Sequence, residues 1–375
     1  MAAVGAPRFC GAAHAPACGL RRPSARIAPG ARASRLRSAV RASNSATATE
    51  AAGLIFGLGN DGDWDDASVG YPVVRYFLND EGTRWFLWYT GRSKEQGGAL
   101  ESVDAVAPGA GSVGIARSSD GVNWLRGAGA ISGVKGPSGE EDVGVVFAPN
   151  ADEWWSHDTM HVTTHDVQVL SSGSVNGGEG MYWMFYTGGD FEPVDVGAVG
   201  PDGAAVEGLR MRPGLALSQD GRNWARIEGE HHSGAIFDAG DAGEWDELFV
   251  RGAQMFNAGP RDMRLFYAAA DPATGRSRIG VATSPTGFDW TKKGIIFEGS
   301  GNAWDAMGPR HQQVIRDAGS KQYLMFYEGV AEDGTTAIGL ATSKNGMDGW
   351  KALPEPVLTA GADGECPRGG EGPRS

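Results

Sequence analysis

The chain has 375 residues, enough for one large domain with a sizeable core. It carries 33 basic and 46 acidic residues, a net charge of −13, and so acidic a surface repels phosphate backbones and disfavours nucleic acid as a partner. No apolar run approaches the roughly 20 residues of a membrane-spanning helix, and Cys10, Cys18 and Cys366, all near the ends, offer no disulfide or thiolate framework for a core.

Residues 1–49 differ in kind from the rest. They hold eight arginines and no Asp, Glu or Lys; the first acid is Glu50. A basic, Ser-bearing, acid-free leader without a long apolar stretch predicts an organelle transit peptide, for the chloroplast or alternatively the mitochondrion. It is set apart from the fold. The folded body is expected over 50–360, and the Gly-rich stretch 361–375 is expected to be a disordered tail.

The body repeats. A Trp-Asp opener occurs at Trp64-Asp65, Trp245-Asp246 and Trp304-Asp305, while the second copy reads Trp154-Trp155-Ser156. An aromatic strand follows each opener: Trp88-Tyr89-Thr90-Gly91, Phe185-Tyr186-Thr187-Gly188, Phe266-Tyr267-Ala268 and Phe326-Tyr327-Glu328-Gly329. Each unit closes on a turn ending in Trp124, Trp224, Trp290 or Trp350, rich in Gly, Asn and Asp that tolerate tight hairpin geometry. Four short strands per unit and no long helical period predict an all-β fold, a β-propeller of four-stranded blades. Leu54-Ile55-Phe56 matches the outer strand that precedes the later openers, yet its own blade is not upstream. The expectation is four recognisable blades plus an orphan outer strand, as in a five-bladed ring whose last blade is truncated; a true four-bladed ring is the alternative.

Spacing locates the working face. The insertions 92–111, 126–153, 190–212 and 225–244 all fall at strand connections that an antiparallel meander places on one face. Long loops gathered on one face of a rigid scaffold are a usual place for binding or catalysis.

The Trp-Asp opener, the Phe-Tyr-x-Gly strand and the Ser-x-Asp-Gly-x-Asn-Trp turn together resemble the five-bladed propeller superfamily of invertases, levansucrases and arabinanases, over residues 54 to 358. The resemblance implies a carbohydrate-active enzyme whose acidic residues, contributed by different blades, stand at the mouth of the central funnel. The invertase Asn-Asp-Pro-Asn and Arg-Asp-Pro motifs are missing, so the site must be sought by register.

Taking Val74, Val169, Met255 and Val314 as equivalent inner-strand positions aligns Gln168, Gln254 and Gln313. The same register aligns His165, Arg251 and Arg310, and also Tyr71, Asp166, Gly252 and His311. Polar residues in an inner strand must face a solvated channel or each other. Tyr71, His165, Arg251, Arg310, His311, Gln254 and Gln313 are therefore the candidate carbohydrate contacts.

Glycosidic cleavage uses two carboxyl groups. Asp65, Asp246 and Asp305 recur and are read as structural. Acids that break the repeat are the catalytic candidates: Asp166 and Glu328 first, with Asp66 and Glu247 behind them. Asp166 is expected to be held ionised by a neighbouring donor, and Glu328, after Phe326-Tyr327, to have a raised pKa suited to a general acid. Asp158 and Asp190 have weaker claims as loop acids. Trp154, Trp155 and His157 offer a sugar-stacking wall. No cofactor is expected, though His165 and His311 could meet at the axis around a channel metal ion such as calcium. A non-catalytic propeller binding a glycan or protein through the same face is the alternative function.

Overall fold

The computed structural model describes residues 40–42, 54–79, 82–95, 111–133, 142–170, 180–195 and 205–359. Most of the leader, the tail from 360, and parts of the first two insertions (96–110 and 134–141) lie outside the described residues. Within the leader segment, β1 (Val40–Ala42) pairs antiparallel with residues 125–127.

Four antiparallel sheets follow one another as propeller blades. Blade 1 is β2 (Ser68–Asn79), β3 (Gly82–Arg92) and β4 (Ser112–Ser118), edged by β5 (Leu125–Gly127) and β6 (Gly144–Phe147). Blade 2 begins with β7 (His161–Leu170) and β8 (Met181–Gly189). The next connection carries a small hairpin, β9 (Val194–Asp195) with β10 (Ala205–Val206), before β11 (Met211–Ser218) and β12 (Ala225–Ile227) complete that blade. Blade 3 is β13 (Arg251–Gly259), β14 (Asp262–Ala270), β15 (Ser277–Ser284) and β16 (Thr291–Phe297). Blade 4 is β17 (Gly308–Arg316), β18 (Tyr323–Val330) and β19 (Thr336–Ser343), edged by β20 (Lys351–Ala352) and β21 (Leu358–Thr359).

One buried motif holds each blade. A tyrosine of each blade's second strand donates its hydroxyl to an aspartate at the blade's opening: Tyr89 to Asp65 (2.8 Å), Tyr186 to Asp158 (3.1 Å), Tyr267 to Asp246 (3.3 Å) and Tyr327 to Asp305 (3.0 Å). The first three aspartates also meet a cation, Arg126, Arg226 and Lys292 in turn, and Asp305 accepts from Ser300 instead. A phenylalanine upstream of the opener packs edge-on against the tyrosine in blades 1, 2 and 4: Phe56, Phe147 at the end of β6 and Phe297 at the end of β16, at 4.7–4.9 Å between centroids. In blades 1 and 4 the opener ring lies so close to the second and third strands that glycine is needed there: Gly91 and Gly114 against Trp64, Gly329 and Gly339 against Trp304. A Cβ on Gly329 would stand 2.3 Å from the Trp304 ring.

Blade 2 corrects the sequence reading. Its opener is not Trp154-Trp155 but His157-Asp158: the His157 ring stacks on Tyr186 at 5.6 Å, as Trp304 does on Tyr327 at 5.7 Å. Asp158, taken as a loop acid, is thus the fourth structural aspartate, fully buried. Trp154 and Trp155 are released from the repeat.

The closing turns repeat equally. Ser118 Oγ accepts the amides of Asp120 and Gly121, and the Asp120 carboxylate accepts those of Val122 and Asn123. Ser218 and Asp220 do the same in blade 2. Gly121 and Gly221 sit at φ 76° and 72°, which a side chain would disfavour.

Apolar side chains from consecutive blades interlock into three cores, between blades 1 and 2, 2 and 3, and 3 and 4. The expected fifth blade is not among the described residues. Two sheet faces show it. Val74 is 39% exposed where its equivalents Val167, Met255 and Val314 are at 0–1%, and Phe326 is 36% exposed where Trp88, Phe185 and Phe266 are fully buried. Leu54-Ile55-Phe56 is not a strand, against expectation. β21 occupies the outer edge of blade 4, so no ladder reaches residues 54–56, and they lie along blade 1 with Leu54 and Ile55 exposed.

Candidate functional site at the propeller axis

Each inner strand carries one extra residue at the same height. The register slips between Gly70 and Val73, Thr164 and Asp166, Arg251 and Gln254, and Arg310 and Gln313. Such bulges re-aim side chains and collect near sites. Tyr71 and His311 within them adopt φ 51°, a left-handed conformation that bulky side chains rarely take, and Gly252 takes φ 71° at the same place in blade 3.

The bulges bring a polar cluster together. The Tyr71 ring meets His165 and His311 edge-on at 5.1 and 5.3 Å, and its hydroxyl lies 3.5 Å from His311 Nε2. His311 Nδ1 faces Glu328 Oε2 at 2.9 Å, and Arg310 Nε donates to the same oxygen at 2.5 Å. His165 Nε2 accepts the Gly252 amide at 3.3 Å. Arg251 is buried beside them, its guanidinium over the Phe249 ring. Of the expected contacts, Tyr71, His165, Arg251, Arg310 and His311 converge, and Glu328 joins them.

Burial sets their protonation. It lowers His165 to about 3 and Arg251 to about 10, in both cases with help from neighbouring positive charge. His311 also falls, first through burial, although Glu328 opposes the shift; a third of its side chain still reaches solvent. A neutral His311 that donates a hydrogen bond from Nδ1–H to the Glu328 carboxylate presents Nε2 as an acceptor to the Tyr71 hydroxyl. Glu328 departs from expectation. Burial pushes it up, but His311 and Arg310 together outweigh burial and hold it at about 2, so it stands ionised at neutral pH rather than poised as an acid.

Asp166 is elsewhere. Strand pairing makes Val74 equivalent to Val167, not Val169, since Val74, Val167, Met255 and Val314 face Leu87, Met184, Leu265 and Met325. Asp166 is therefore the counterpart of Val73, Gln254 and Gln313. It is 2% exposed, bonded to Arg75 (2.8 Å), Gln168 (2.8 Å) and the Met255 amide (3.1 Å) of blade 3. Burial raises its pKa against the pull of Arg75. Gln254 does the same work one blade on, bonding both the amide and the carbonyl of Val314. Gln313, its equivalent in blade 4, is exposed.

Asp66 and Glu247 close turns. Asp66 accepts the amides of Lys94 and Gly62, both at 2.8 Å, and Glu247 accepts that of Gly243 at 2.7 Å. The Lys94 amide in particular holds Asp66 below its usual range. Sequence reasoning missed Arg75, the partner of Asp166, and Gln312, buried and bonded to the carbonyls of Gly252 and Phe266. Among the described residues no group of three or more His, Cys, Asp or Glu could hold a metal ion. His165 and His311 both pack edge-on against the Tyr71 ring.

Against solved structures, the chain aligns with a member of the GH130 family of mannoside phosphorylases and glycoside hydrolases. The identity is 14%, over 83% of this chain and 80% of that one, with a TM-score of 0.53. The chain has the propeller fold of that glycoside hydrolase. A family 117 glycoside hydrolase of Zobellia galactanivorans aligns at 15% identity, over 79% and 71% of the two chains, with a TM-score of 0.49. An endo-arabinase of Bacteroides thetaiotaomicron aligns at 12%, over 80% and 84%, with a TM-score of 0.47. At such identities the likeness concerns the fold. No protein-family model and no curated protein matches the chain.

Proposed function

We propose that the protein acts on a carbohydrate at the axial cluster, hydrolysing or transferring a glycosidic bond, with Tyr71, His311 and Glu328 as the working chain in place of a carboxylate pair. The carrying observation is the run of contacts from the Tyr71 hydroxyl through His311 to the ionised Glu328. It is the arrangement of a hydroxyl, a base and a group that orients the base. Glu328 fixes the tautomer. His311 Nε2 takes a proton from water or an acceptor hydroxyl through Tyr71; that oxygen bonds to the anomeric carbon, and the leaving oxygen draws its proton from solvent. Arg251 and Arg310 hold sugar hydroxyls and oppose loss of charge balance around Glu328.

A second reading, glycan binding without cleavage, is favoured by one observation. Of the four acids expected to be catalytic, Glu328 alone touches the axial cluster, while Asp166, Asp66 and Glu247 are bonded elsewhere. A screen of chromogenic arabinosides, xylosides, fructosides and mannosides separates the two. Turnover that vanishes in Tyr71→Phe and Glu328→Gln supports the first reading. Saturable binding of a glycan with no turnover supports the second.

A further inference from the structure

A concavity separate from the axial cluster is lined by residues 150–159 entering blade 2, by 190–192, 210 and 212 of blade 2, and by 231–238 entering blade 3, and none of the axial residues lines it. Its volume is about 830 Å³, within the range of about 300–1,000 Å³ usual for small-molecule sites.

Its lining has two halves. One is aromatic. Trp154 is 90% exposed, Phe191 58% and Trp155 36%. Because His157 serves as the opener of blade 2, the propeller repeat makes no use of Trp154, and burial does not account for it. The other half is polar and braced. Arg212, 5% exposed, donates from Nε to Asp238 Oδ1 (2.5 Å) and from Nη1 to Asp190 Oδ2 (3.2 Å). His231 meets the other Asp238 oxygen at 3.2 Å. The buried guanidinium fixes two carboxylates, each with acceptor positions to spare, at the cavity wall.

The charges nearly cancel. Asp190, Asp238 and Glu192 face Arg210 and Arg212, and burial keeps His231 below its ordinary pKa. A cavity so balanced neither attracts a phosphate nor a polyanion. Exposed indole and phenyl faces suit the C–H face of a sugar ring, and paired carboxylates with a guanidinium suit its hydroxyls. We propose that this cavity is a second carbohydrate site, distinct from the axis, that takes a neutral saccharide against Trp154 and Phe191 with its hydroxyls on Asp190, Asp238 and Arg212. It stands whether or not the axial cluster cleaves anything.

The test is titration of the full chain with neutral arabino-, xylo- and manno-oligosaccharides, from trisaccharide to pentasaccharide, read by calorimetry and tryptophan fluorescence. Trp154 is exposed, so Trp154→Ala leaves the core untouched. We expect it, and Phe191→Ala, to weaken binding by about tenfold or more each, and Asp190→Asn to do likewise. Glu328→Gln and Tyr71→Phe should leave this binding unchanged, which separates it from the axial reading. Binding lost only in the axial variants, no binding of any neutral saccharide, or preferential binding of uronate oligosaccharides or peptides would overturn the assignment.

Discussion

His311 Nδ1 lies 2.9 Å from Glu328 Oε2, across the paired strands β17 and β18. A carboxylate so placed fixes the imidazole and stays ionised. Once a substrate is found, Glu328→Gln should lower turnover by about a hundredfold, with the circular dichroism spectrum unchanged. The acid limb of the rate profile should lie below 6.5, because burial lowers His311 from that value. Equal activity in the variant would move the chemistry away from this pair.

Asp166 should prove a matter of stability. Its carboxylate joins Arg75 of blade 1 to the Met255 amide of blade 3. Removing it as Asp166→Ala strands a half-buried cation partner, Arg75, and the buried Met255 amide, a loss of about 1–3 kcal/mol in urea unfolding. Asp158→Ala, which frees Tyr186 and Arg226, should cost about 1–3 kcal/mol. Either variant keeping full stability while losing activity would return it to the site.

Acid should weaken the fold in a defined direction. Burial lowers His161 to about 4 and His165 to about 3 from 6.5, so the unfolded chain binds their protons first. Their contribution is complete above pH 6.5 and is lost as pH falls towards the folded values. Glu328, at about 2 against 4.5, adds a further loss below 4.5. Asp166, whose pKa is raised, works in the opposite sense. Urea midpoints should therefore fall steadily between about pH 7 and pH 4, and fall less in His161→Phe, which cannot take up the proton. A midpoint independent of pH over that range would contradict these shifts.

For the leader we propose chloroplast targeting, with removal near residues 42 to 52, where acid-free sequence gives way to acidic. Sequencing the amino terminus of protein from the native source checks it. A start at Met1 or Ala2 argues against cleavage, and import into isolated mitochondria alone would favour the other organelle.

The propeller was legible because its glue is local and repeated. Trp-Asp, Phe-Tyr-x-Gly and the Ser-Asp-Gly turn each bond within one blade, so their spacing survives in the chain. Blade 2 misled because alternation repeats every second residue: Val167 and Val169 both fit an inward position, and only pairing with Met184 distinguishes them. Glu328 touches Arg310 and His311, and its protonation is opposite to the sequence expectation. Its sequence neighbours Phe326 and Tyr327 do not decide its surroundings, because adjacent strand residues point to opposite faces and Arg310 and His311 arrive from the next strand. Replacement of the opener Trp by His157 left no sequence signal beyond the aspartate that follows it.

The bare sheet faces of blades 1 and 4 bear on how the protein behaves in a tube. Val74, Tyr76 and Leu78 on one, and Ile315 and Phe326 on the other, are 36–75% exposed. At low ionic strength the net charge of −13 keeps molecules apart over a Debye length of about 30 Å at 0.01 M. At 1 M salt that reach shrinks to about 3 Å, and apolar faces can meet. Light scattering should then rise with salt, not fall. Replacing Tyr76 and Leu78 with lysine should flatten the rise, since each substitution removes apolar surface and puts on the face a hydrated charge that is costly to bury against a partner.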